Sequence, residues 1–542
     1  MRRFLLPVMF LALSGPAWSV EVDVVITDYN GPQSGDKVAP LGKQKTNVAS
    51  IFAAKGEYEC FSFMLQPKDT LPEVMIKSGA LAGPGGATIP AANVVVQCCE
   101  GGFGENRALG ALGKAWNMEG WAREYFWVTV KVPDDAAPGA YKGDVVVTSQ
   151  GNPVAKAGIV LDVLPFALEE PPYMIGWHYA WPTVKEEAAS STDKASLELL
   201  RKTLKDMREH GCTNVGPLYG FHMPVTDDDT TQVGIFVDEY IKAGYTKPLM
   251  FAAAMGAQSQ VTSYGPIESK RFQQKYIEVM RKLHAEMKKH PIPVIFSIGD
   301  EFTNRGMRGV EYGEKLAKLT HEELPELVIT SDADGYTEVM KMAPWMNFAT
   351  FNNGWDGADH HNKGRTMLND KFLKELTSTT DAIPYFVNTG KGRMPFGFFF
   401  WKMTKYGVRG KVEWFYNLNG KGNNEGSMVT LMEDGGIRPT INYERSREGI
   451  DDVKYASMLE RLIADAKKSG KAKAEAAAAE AYLKALEDSI IPNWTAYSKG
   501  GQTWPVDGQA QVDPEKAAAL GSLNAIRRGI ADHIVAIQKA MK

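Results

Sequence analysis

The stretch KRFQQKYIEVMRKLHAEMKKHPIPVIFSIGDE, residues 270–301, contains the unit that repeats through the middle of the chain. In its first part the apolar residues recur every three or four positions, which predicts an amphipathic helix packed against a core. They are Phe272, Tyr276, Val279, Met280, Leu283 and Met287. The apolar run 293–298 then predicts a buried strand, which ends at Gly299-Asp300-Glu301.

This alternation of strand and helix continues through residues 173–437. The predicted strands are 173–181, 213–219, 248–254, 293–298, 327–331, 346–351, 383–388 and 410–416. Eight such alternations in about 250 residues predict a (β/α)8 TIM-like barrel. A doubly wound open sheet is the alternative, but it would require a glycine-rich phosphate loop after an early strand, and the sequence has none.

A different pattern precedes the barrel segment. Residues 20–168 contain short β-rich runs separated by turn residues such as Gly83-Pro84-Gly85-Gly86. The runs are 22–27, 58–65, 94–97, 125–132, 143–149 and 158–163. Many short strands with such punctuation predict an N-terminal β-sandwich domain. The chain is therefore a multidomain protein that combines all-β and α/β parts.

The segment 438–542 is predicted to be helical. Residues 471–486 are rich in alanine, which has the highest intrinsic helix propensity. Asp513-Pro514 is a typical helix start, with an acidic N-cap and Pro at the first helical position. We expect a C-terminal helical region after the barrel.

The first residues resemble a secretory signal peptide. Arg2 and Arg3 precede a short apolar run, and Ala17-Trp18-Ser19 places small residues at the two specificity positions of a cut after Ser19. We therefore expect a signal peptide at 1–19 and a periplasmic or secreted mature protein. The run is too short to span a membrane, and no later stretch is long enough.

Composition narrows the function classes. The chain has 542 residues, of which 44% are hydrophobic, so a disordered protein is excluded. Its net charge of −4 argues against nucleic acid as a partner, because phosphate binding requires basic surfaces. Cys60, Cys98, Cys99 and Cys212 are too few for a disulfide scaffold. The sequence leaves two alternatives open: one disulfide bridge, from Cys60 to Cys98 or Cys99, or no bridge.

The acid pair Asp300-Glu301 is the main candidate for catalysis, because barrel enzymes place their reacting groups at the carboxyl ends of the strands. Glycosidic cleavage needs one acid to protonate the leaving oxygen and one carboxylate to stabilise the positive charge at the anomeric carbon. Adjacent acids converge only where the strand ends and turns. They suit substrate-assisted hydrolysis, in which Asp orients a 2-acetamido group and Glu is the acid and then the base.

Aromatic and amide side chains at other strand ends predict sugar binding. Flat rings stack on pyranose C–H faces, and Asn binds hydroxyl groups. The candidates are Trp177, His178, Tyr336, Asn353, Trp355, Trp401, Trp414, Tyr416 and Asn417. His178 and the pair His360-His361 are alternative metal ligands, but no third ligand has a recognisable spacing, so no metal and no cofactor are predicted.

Several segments together resemble glycoside hydrolase family 123 and its related secreted proteins. They are Ala53–Glu59 (AAKGEYE), Pro138–Gly143 (PGAYKG), Asp300-Glu301, Trp401, Tyr406–Gly410 (YGVRG), Trp414, Asn417 and Arg445–Asp452 (RSREGIDD). They occur in the family's order across most of the chain. One departure is Phe302, since the family often has Pro after the acid pair.

The resemblance implies a β-sandwich with a barrel and a retaining β-N-acetylgalactosaminidase that acts on a glycan. Asp300 would stabilise the acetamido group, and Glu301 would be the acid and base. Two alternatives remain. One is a glycosidase for sulfated or uronic polysaccharides, with Arg305, Arg308, Lys363 and Arg365 binding the anion; the other is a non-catalytic carbohydrate-binding protein.

Overall fold

The computed structural model describes residues 21–30, 40–41, 45–104, 107–181, 194–217, 231–352, 367–417, 427–432, 434–493 and 519–542. The predicted signal peptide lies outside these residues. The described residues form two compact units: those within 1–29, 38–102 and 110–164, and those within 30–37, 103–109 and 165–542. The predicted domain boundaries at 168, 173 and 437 stay predictions.

The first unit is built from two sheets. Its strands are β1 (Val22–Thr27), β2 (Val48–Lys55), β3 (Tyr58–Pro67), β4 (Leu71–Ser78), β5 (Leu81–Ala82), β6 (Thr88–Ile89), β7 (Val94–Cys99), β8 (Leu109–Ala111), β9 (Trp116–Met118), β10 (Glu124–Lys131), β11 (Gly139–Ser149) and β12 (Asn152–Ala167). One sheet has the order β1-β3-β10-β7-β8. The other has the order β2-β12-β11-β4-β9, with β5 paired to β11 and β6.

Apolar side chains from both sheets form one core in this unit. Phe63 and Phe126 pair across β3 and β10, and Val74 and Val145 come from the second sheet. All four side chains are fully buried. Because one core is shared by two antiparallel sheets, the predicted β-sandwich is confirmed.

The four cysteines are free thiols. Cys60 pairs with Thr129 of β10, whereas Cys98 pairs with Phe126 on the other side of the same strand. Two interstrand spacings therefore separate β3 from β7, roughly 9–10 Å. A disulfide requires Cα atoms closer than about 7 Å, so the sheet order excludes a bridge between Cys60 and Cys98.

The second unit contains eight parallel strands. They are β13 (Met174–Tyr179), β14 (Asn214–Pro217), β15 (Leu249–Phe251), β16 (Val294–Asp300), β17 (Val328–Ala333), β18 (Phe348–Phe351), β19 (Ile383–Val387) and β20 (Gly410–Glu413). Their order is β14-β13-β20-β19-β18-β17-β16-β15. Between the two end strands, the Asn214 side-chain amide donates to the carbonyl of Pro248. The sheet is thus a nearly closed barrel, as predicted. A hairpin of β21 (Val429–Leu431) and β22 (Ile437–Pro439) follows.

The described α-helices lie in the second unit, whereas the first unit contains the short 3-10 helices Pro84–Gly86 and Ala91–Asn93. The α-helices are α1 (Lys194–Glu209), α2 (Thr231–Lys242), α3 (Gly256–Gln260), α4 (Lys270–Met287), α5 (Gly306–Glu323), α6 (Tyr336–Met342), α7 (Asp370–Thr379), α8 (Arg393–Phe396), α9 (Phe398–Thr404), α10 (Ile441–Ser469), α11 (Lys473–Ser489) and α12 (Leu523–Met541). The predicted apolar stripe of α4 is buried, and Ser269 caps the helix by accepting from the N–H of Phe272. None of the described helices is long and apolar enough to cross a membrane.

Helix α10 belongs to the same unit as the barrel and carries buried charges. Asp452 accepts hydrogen bonds from Arg393 of α8 at 2.8 and 2.9 Å, and from Arg527 of α12 at 2.6 Å. Arg527 also donates to Glu448 at 2.8 Å. These side chains are almost completely buried. Buried charges are tolerated when they are paired in this way. The ion pairs join α8, which precedes the last barrel strand, to α10 and α12 of the C-terminal region.

Candidate active site

The acid pair lies at an irregular end of β16. Ser297 pairs with Thr330 of β17, but Asp300 pairs with Asp332, so β16 contains one extra residue between these positions. Such a bulge redirects the side chains that follow it. It places the carboxyl-terminal residues of β16 and β17 side by side at the end of the barrel where reacting groups of barrel enzymes are found.

Gly299 and Phe302 fit together at this turn. A Cβ atom on Gly299 would lie 2.1 Å from the Phe302 ring, and one on Gly313 would lie 2.5 Å from the same ring. Phe302 is 2% exposed and contacts Tyr312, with ring centroids 5.7 Å apart. The departure from the family's Pro therefore has a local reason: the phenyl ring fills space that two glycines leave open.

Glu301 is held in a left-handed backbone conformation, with φ 43° and ψ 56°. This region is costly for a residue with a side chain, and such strain concentrates at functional sites. Its N–H donates to the carbonyl of Asp332 at 2.7 Å. Its carboxylate accepts from the amides of Asn304 at 2.9 Å and Asn352 at 3.4 Å. Burial raises the pKa of Glu301, and the Asn304 hydrogen bond opposes this.

Glu338 of α6 fixes the turn that follows Glu301. Its carboxylate accepts the backbone N–H groups of Phe302 at 2.9 Å, Thr303 at 3.2 Å and Asp334 at 3.3 Å. The side chain is fully buried, and burial raises its pKa to about 7 although the three N–H donors lower it. Glu338 was not among the site residues predicted from the sequence.

Asp300 has an unusual protonation equilibrium. Burial by surrounding protein atoms, with the charges of Asp332 and Glu301, raises its pKa to about 7, and His178 opposes this. The residue nevertheless keeps an exposed surface. A carboxyl group that titrates near neutral pH and remains accessible is suited to acid–base or electrostatic work on a bound substrate.

Asp332 is a third carboxylate at the site. It lies at the end of β17 and is 4% exposed, and its Oδ2 atom is 3.3 Å from Nε2 of His178. Its Oδ1 atom has no hydrogen-bond partner among the described residues. Asp332 was not among the site residues predicted from the sequence, although the acidic run Ser331-Asp332-Ala333-Asp334 begins at the last residue of a predicted strand.

Trp414 is a partly exposed aromatic residue that contacts this cluster. Its ring packs edge-on against His178, with centroids 5.8 Å apart, and its backbone N–H donates to Asn388 at 2.9 Å. Asn417 is 4% exposed, and both polar atoms of its side chain lack a partner in the part of the chain that is described. Trp414 thus keeps a partly accessible surface for a ligand, whereas the Asn417 side chain is buried.

Four other residues predicted to bind sugar make their contacts with side chains outside the acid cluster. Trp177 is fully buried and stacks on Phe396 at 4.9 Å. The indole of Trp401 donates to Glu460 at 3.0 Å. The Tyr416 hydroxyl donates to Asp206 at 2.8 Å. Burial of these three rings leaves no face for a sugar.

Tyr336, the fourth, donates its hydroxyl to Glu375 of α7 and is half-buried. Asn353 and Trp355 lie outside the described residues, as do His360, His361, Lys363 and Arg365. Arg305 and Arg308 are exposed in the segment after Glu301. No group of three potential metal ligands occurs within the described ranges.

Comparison with known proteins gives a structural likeness. No known family profile and no curated protein matches the sequence. A solved family 123 glycoside hydrolase from Clostridium perfringens, studied for glycolipid glycan hydrolysis, matches with a TM-score of 0.65 and 13% identity. The match covers 96% of this chain and 100% of that chain.

Two further solved structures are more distant. A family 39 glycoside hydrolase from Bacteroides cellulosilyticus has a TM-score of 0.37 and 11% identity, covering 76% of this chain and 82% of that one. A β-D-glucuronidase from Dictyoglomus thermophilum has a TM-score of 0.33 and 12% identity, covering 80% and 69%. The likeness to the family 123 enzyme establishes a shared fold.

Proposed function

We propose that this protein is a secreted retaining glycoside hydrolase that cleaves terminal 2-acetamido-β-sugars, with β-N-acetylgalactosaminides as the first substrates to test. The observation that carries the proposal is the adjacent pair Asp300-Glu301 at the bulged end of β16, with the pKa of Asp300 raised to about 7. The shared fold with a family 123 enzyme that hydrolyses glycolipid glycans supports it.

In the first step, the Asp300 carboxylate accepts the N–H of the substrate's acetamido group and orients it. The acetamido oxygen attacks the anomeric carbon and forms an oxazolinium ring, while Glu301 gives its proton to the departing glycosidic oxygen. In the second step, Glu301 takes a proton from water, and that water opens the ring at the anomeric carbon. Two inversions retain the β configuration.

The positions of the acids favour this route over a double displacement by protein carboxylates. Asp300 and Glu301 are consecutive and follow one strand end, so they approach the substrate from the same region. A retaining enzyme with its own nucleophile needs carboxyl groups about 5–5.5 Å apart on opposite sides of the scissile bond. The acetamido group removes that requirement, because it supplies the nucleophile.

Aryl 2-acetamido-2-deoxy-β-galactoside and -glucoside are the test substrates. We expect Asp300→Asn and Glu301→Gln to lower kcat/KM by about 100-fold or more, in the range that acid–base groups contribute. Glu311→Gln, which changes an exposed carboxylate on α5, is the matched control. A thiazoline analogue of the oxazoline should inhibit. Equal hydrolysis by the wild type and both site variants would remove the assignment.

A glycosidase for sulfated or uronic glycans is the second candidate. Arg305 and Arg308 are exposed directly after Glu301 and make no ion pair within the described residues. They could bind an anionic group beside the scissile bond. Hydrolysis of a sulfated substrate in preference to its neutral counterpart, reduced by Arg305→Gln, would favour this candidate. Glycan binding without turnover of any substrate would instead indicate a carbohydrate-binding protein.

A further inference from the structure

The first unit contains a cavity of about 700 Å³, which is within the range of small-molecule sites. It lies where β7 ends, where the chain leaves β8, and where β10 begins. Side chains that line it include Cys98, Glu100, Trp116, Arg123, Glu124 and Tyr125. All of them belong to the first unit, whereas the acid pair belongs to the second.

Trp116 supplies a fixed aromatic surface in this cavity. Its ring packs against Phe126 with centroids 6.2 Å apart, and its indole N–H donates to Oε2 of Glu124 at 3.0 Å. The ring is half-buried, so part of it remains accessible. Two contacts, both with residues of β10, therefore hold the ring in place before any ligand binds, which lowers the entropic cost of binding.

Two carboxylates lie beside the ring. Glu124 is half-buried, and its Oε1 atom has no hydrogen-bond partner within the described ranges. A Cβ on Gly110 would lie 2.4 Å from Oε1 of Glu100 and 3.0 Å from Sγ of Cys98, so Glu100 folds over that glycine toward the thiol. Burial raises the pKa of Cys98, and the charges of Glu100 and Glu124 add to this.

The rim carries cations. Lys114 and Arg123 are exposed, line the cavity, and form no ion pair among the described residues. A ring face with acceptors on one side and donors at the rim matches a pyranose, which offers an apolar C–H face and a belt of hydroxyl groups that both donate and accept. A metal site fits less well, because the described residues include no group of three metal-ligating side chains.

We infer that this cavity is a saccharide-binding site in the β-sandwich unit, with Trp116 stacking on the sugar ring and Glu124 accepting from its hydroxyl groups. The inference goes beyond the proposed hydrolysis. It assigns the sandwich a role in holding glycan, separately from the residues that cleave it.

Gly113 offers a way to block the cavity without disturbing the fold. It lines the cavity, and a Cβ added there meets no atom within 4 Å. Gly113→Phe should therefore project a ring into open space. Val95→Phe adds the same ring at a 48% exposed position of β7 and is the matched control. Glu124→Gln removes the charge and one acceptor while keeping the shape.

The test uses the full chain with Glu301→Gln as background, so that bound glycans are not consumed. Binding to a glycan array is followed by calorimetry on the retained glycans. We expect Gly113→Phe to weaken binding at least tenfold and Glu124→Gln several-fold, with Val95→Phe unchanged and the Tm of all three as in the parent.

Equal array binding by Gly113→Phe and its parent, at an unchanged Tm, would overturn the inference. In the otherwise wild-type chain, Gly113→Phe should hydrolyse a small aryl glycoside at the normal rate, because that substrate occupies the acid site alone. Failure of the wild type to hydrolyse any substrate would remove the proposed function, but the array comparison would still decide whether the cavity binds sugar.

Discussion

Nε2 of His178 lies 3.3 Å from Oδ2 of Asp332, and both side chains are almost completely buried. The two residues come from β13 and β17, and Asp332 is the register partner of Asp300. Asp332 raises the pKa of Asp300, whereas His178 lowers it. Burial is the main cause of the raised pKa of Asp300, and this pair adjusts that pKa in opposite directions.

The first prediction concerns the pH dependence of hydrolysis. Activity needs ionised Asp300, so the acidic limb of kcat/KM should follow its pKa of about 7. Asp332→Asn removes a negative charge, which should move this limb to lower pH. His178→Gln removes the opposing group and should move it to higher pH. Because the groups are coupled, the limb reports the cluster as a whole. Shifts in the same direction would contradict this account.

The second prediction concerns Glu338 and stability. Its pKa in the folded protein is raised to about 7 from an ordinary value of 4.5, so the folded state binds the proton more tightly. Its contribution to the free energy of unfolding is therefore full below about pH 4.5 and declines as the pH rises through 7. Glu338→Gln should flatten this decline between pH 5 and 8, as measured by Tm.

The same variant should lose stability below about pH 4.5, where Glu338 is protonated in the folded and unfolded states and its ionisation does not enter the comparison. There an amide in place of the carboxyl group leaves a backbone N–H of the turn without its acceptor, which costs about 1–3 kcal/mol. Glu314→Gln is the control, because Glu314 forms a partly exposed ion pair with Lys341 at 2.7 Å. Such pairs contribute about 0–1 kcal/mol. Equal Tm values for the two variants would show that Glu338 does not support the turn.

The third prediction concerns Gly299. Its replacement by Ala puts a Cβ 2.1 Å from the Phe302 ring and 2.9 Å from Ser331 Oγ, so the turn that carries Glu301 must move. We expect kcat to fall at least tenfold, with a loss of stability of about 1–3 kcal/mol from overpacking. Gly79→Ala, whose Cβ would be 3.4 Å from the nearest atom, should leave both unchanged. Crystallography of the variant would locate the displaced carboxylate.

The fourth prediction separates ligand contacts from core residues. Trp414→Ala should raise KM about tenfold or more, because burying an aromatic side chain contributes about 1.5–3 kcal/mol. Tyr416→Phe removes the hydrogen bond to Asp206 and should lower Tm while KM stays constant. The opposite pattern, with KM sensitive to Tyr416 and insensitive to Trp414, would reverse the roles given to these two rings.

The barrel was predictable because buried parallel strands produce continuous apolar runs, and each of the eight observed strands overlaps a predicted one. Some predicted strands were longer than the observed ones, because a helical turn begins where the strand ends. For example, β15 stops at Phe251 because Ala252–Met255 forms a 3-10 helix. In the first unit β2, β4, β5, β6, β8 and β9 were not predicted: β2 is alanine-rich, β4 contains Pro72, and the other four have only two or three residues.

The site was only partly predictable. Asp300-Glu301 stood out because both acids follow one apolar run. The role of Asp332 depends on the register between β16 and β17, and that register includes a bulge that no local pattern reveals. An aromatic residue at a strand end can point toward the ligand or into the core, and the sequence does not show which. Sequence alone could not separate Trp414, which stays half-exposed, from Trp177, which is fully buried.

The ion pairs of α10 are completed late in the synthesis of the chain. Arg527 follows the last barrel strand by more than a hundred residues, yet it is a partner of both Glu448 and Asp452. A nascent chain that has been synthesised only through the eighth strand contains every barrel strand and lacks the helix that carries these carboxylates. During synthesis, Arg393 of α8 therefore lacks its partner Asp452 until α10 has been made, and Arg527 joins them only with α12, the last of the described helices.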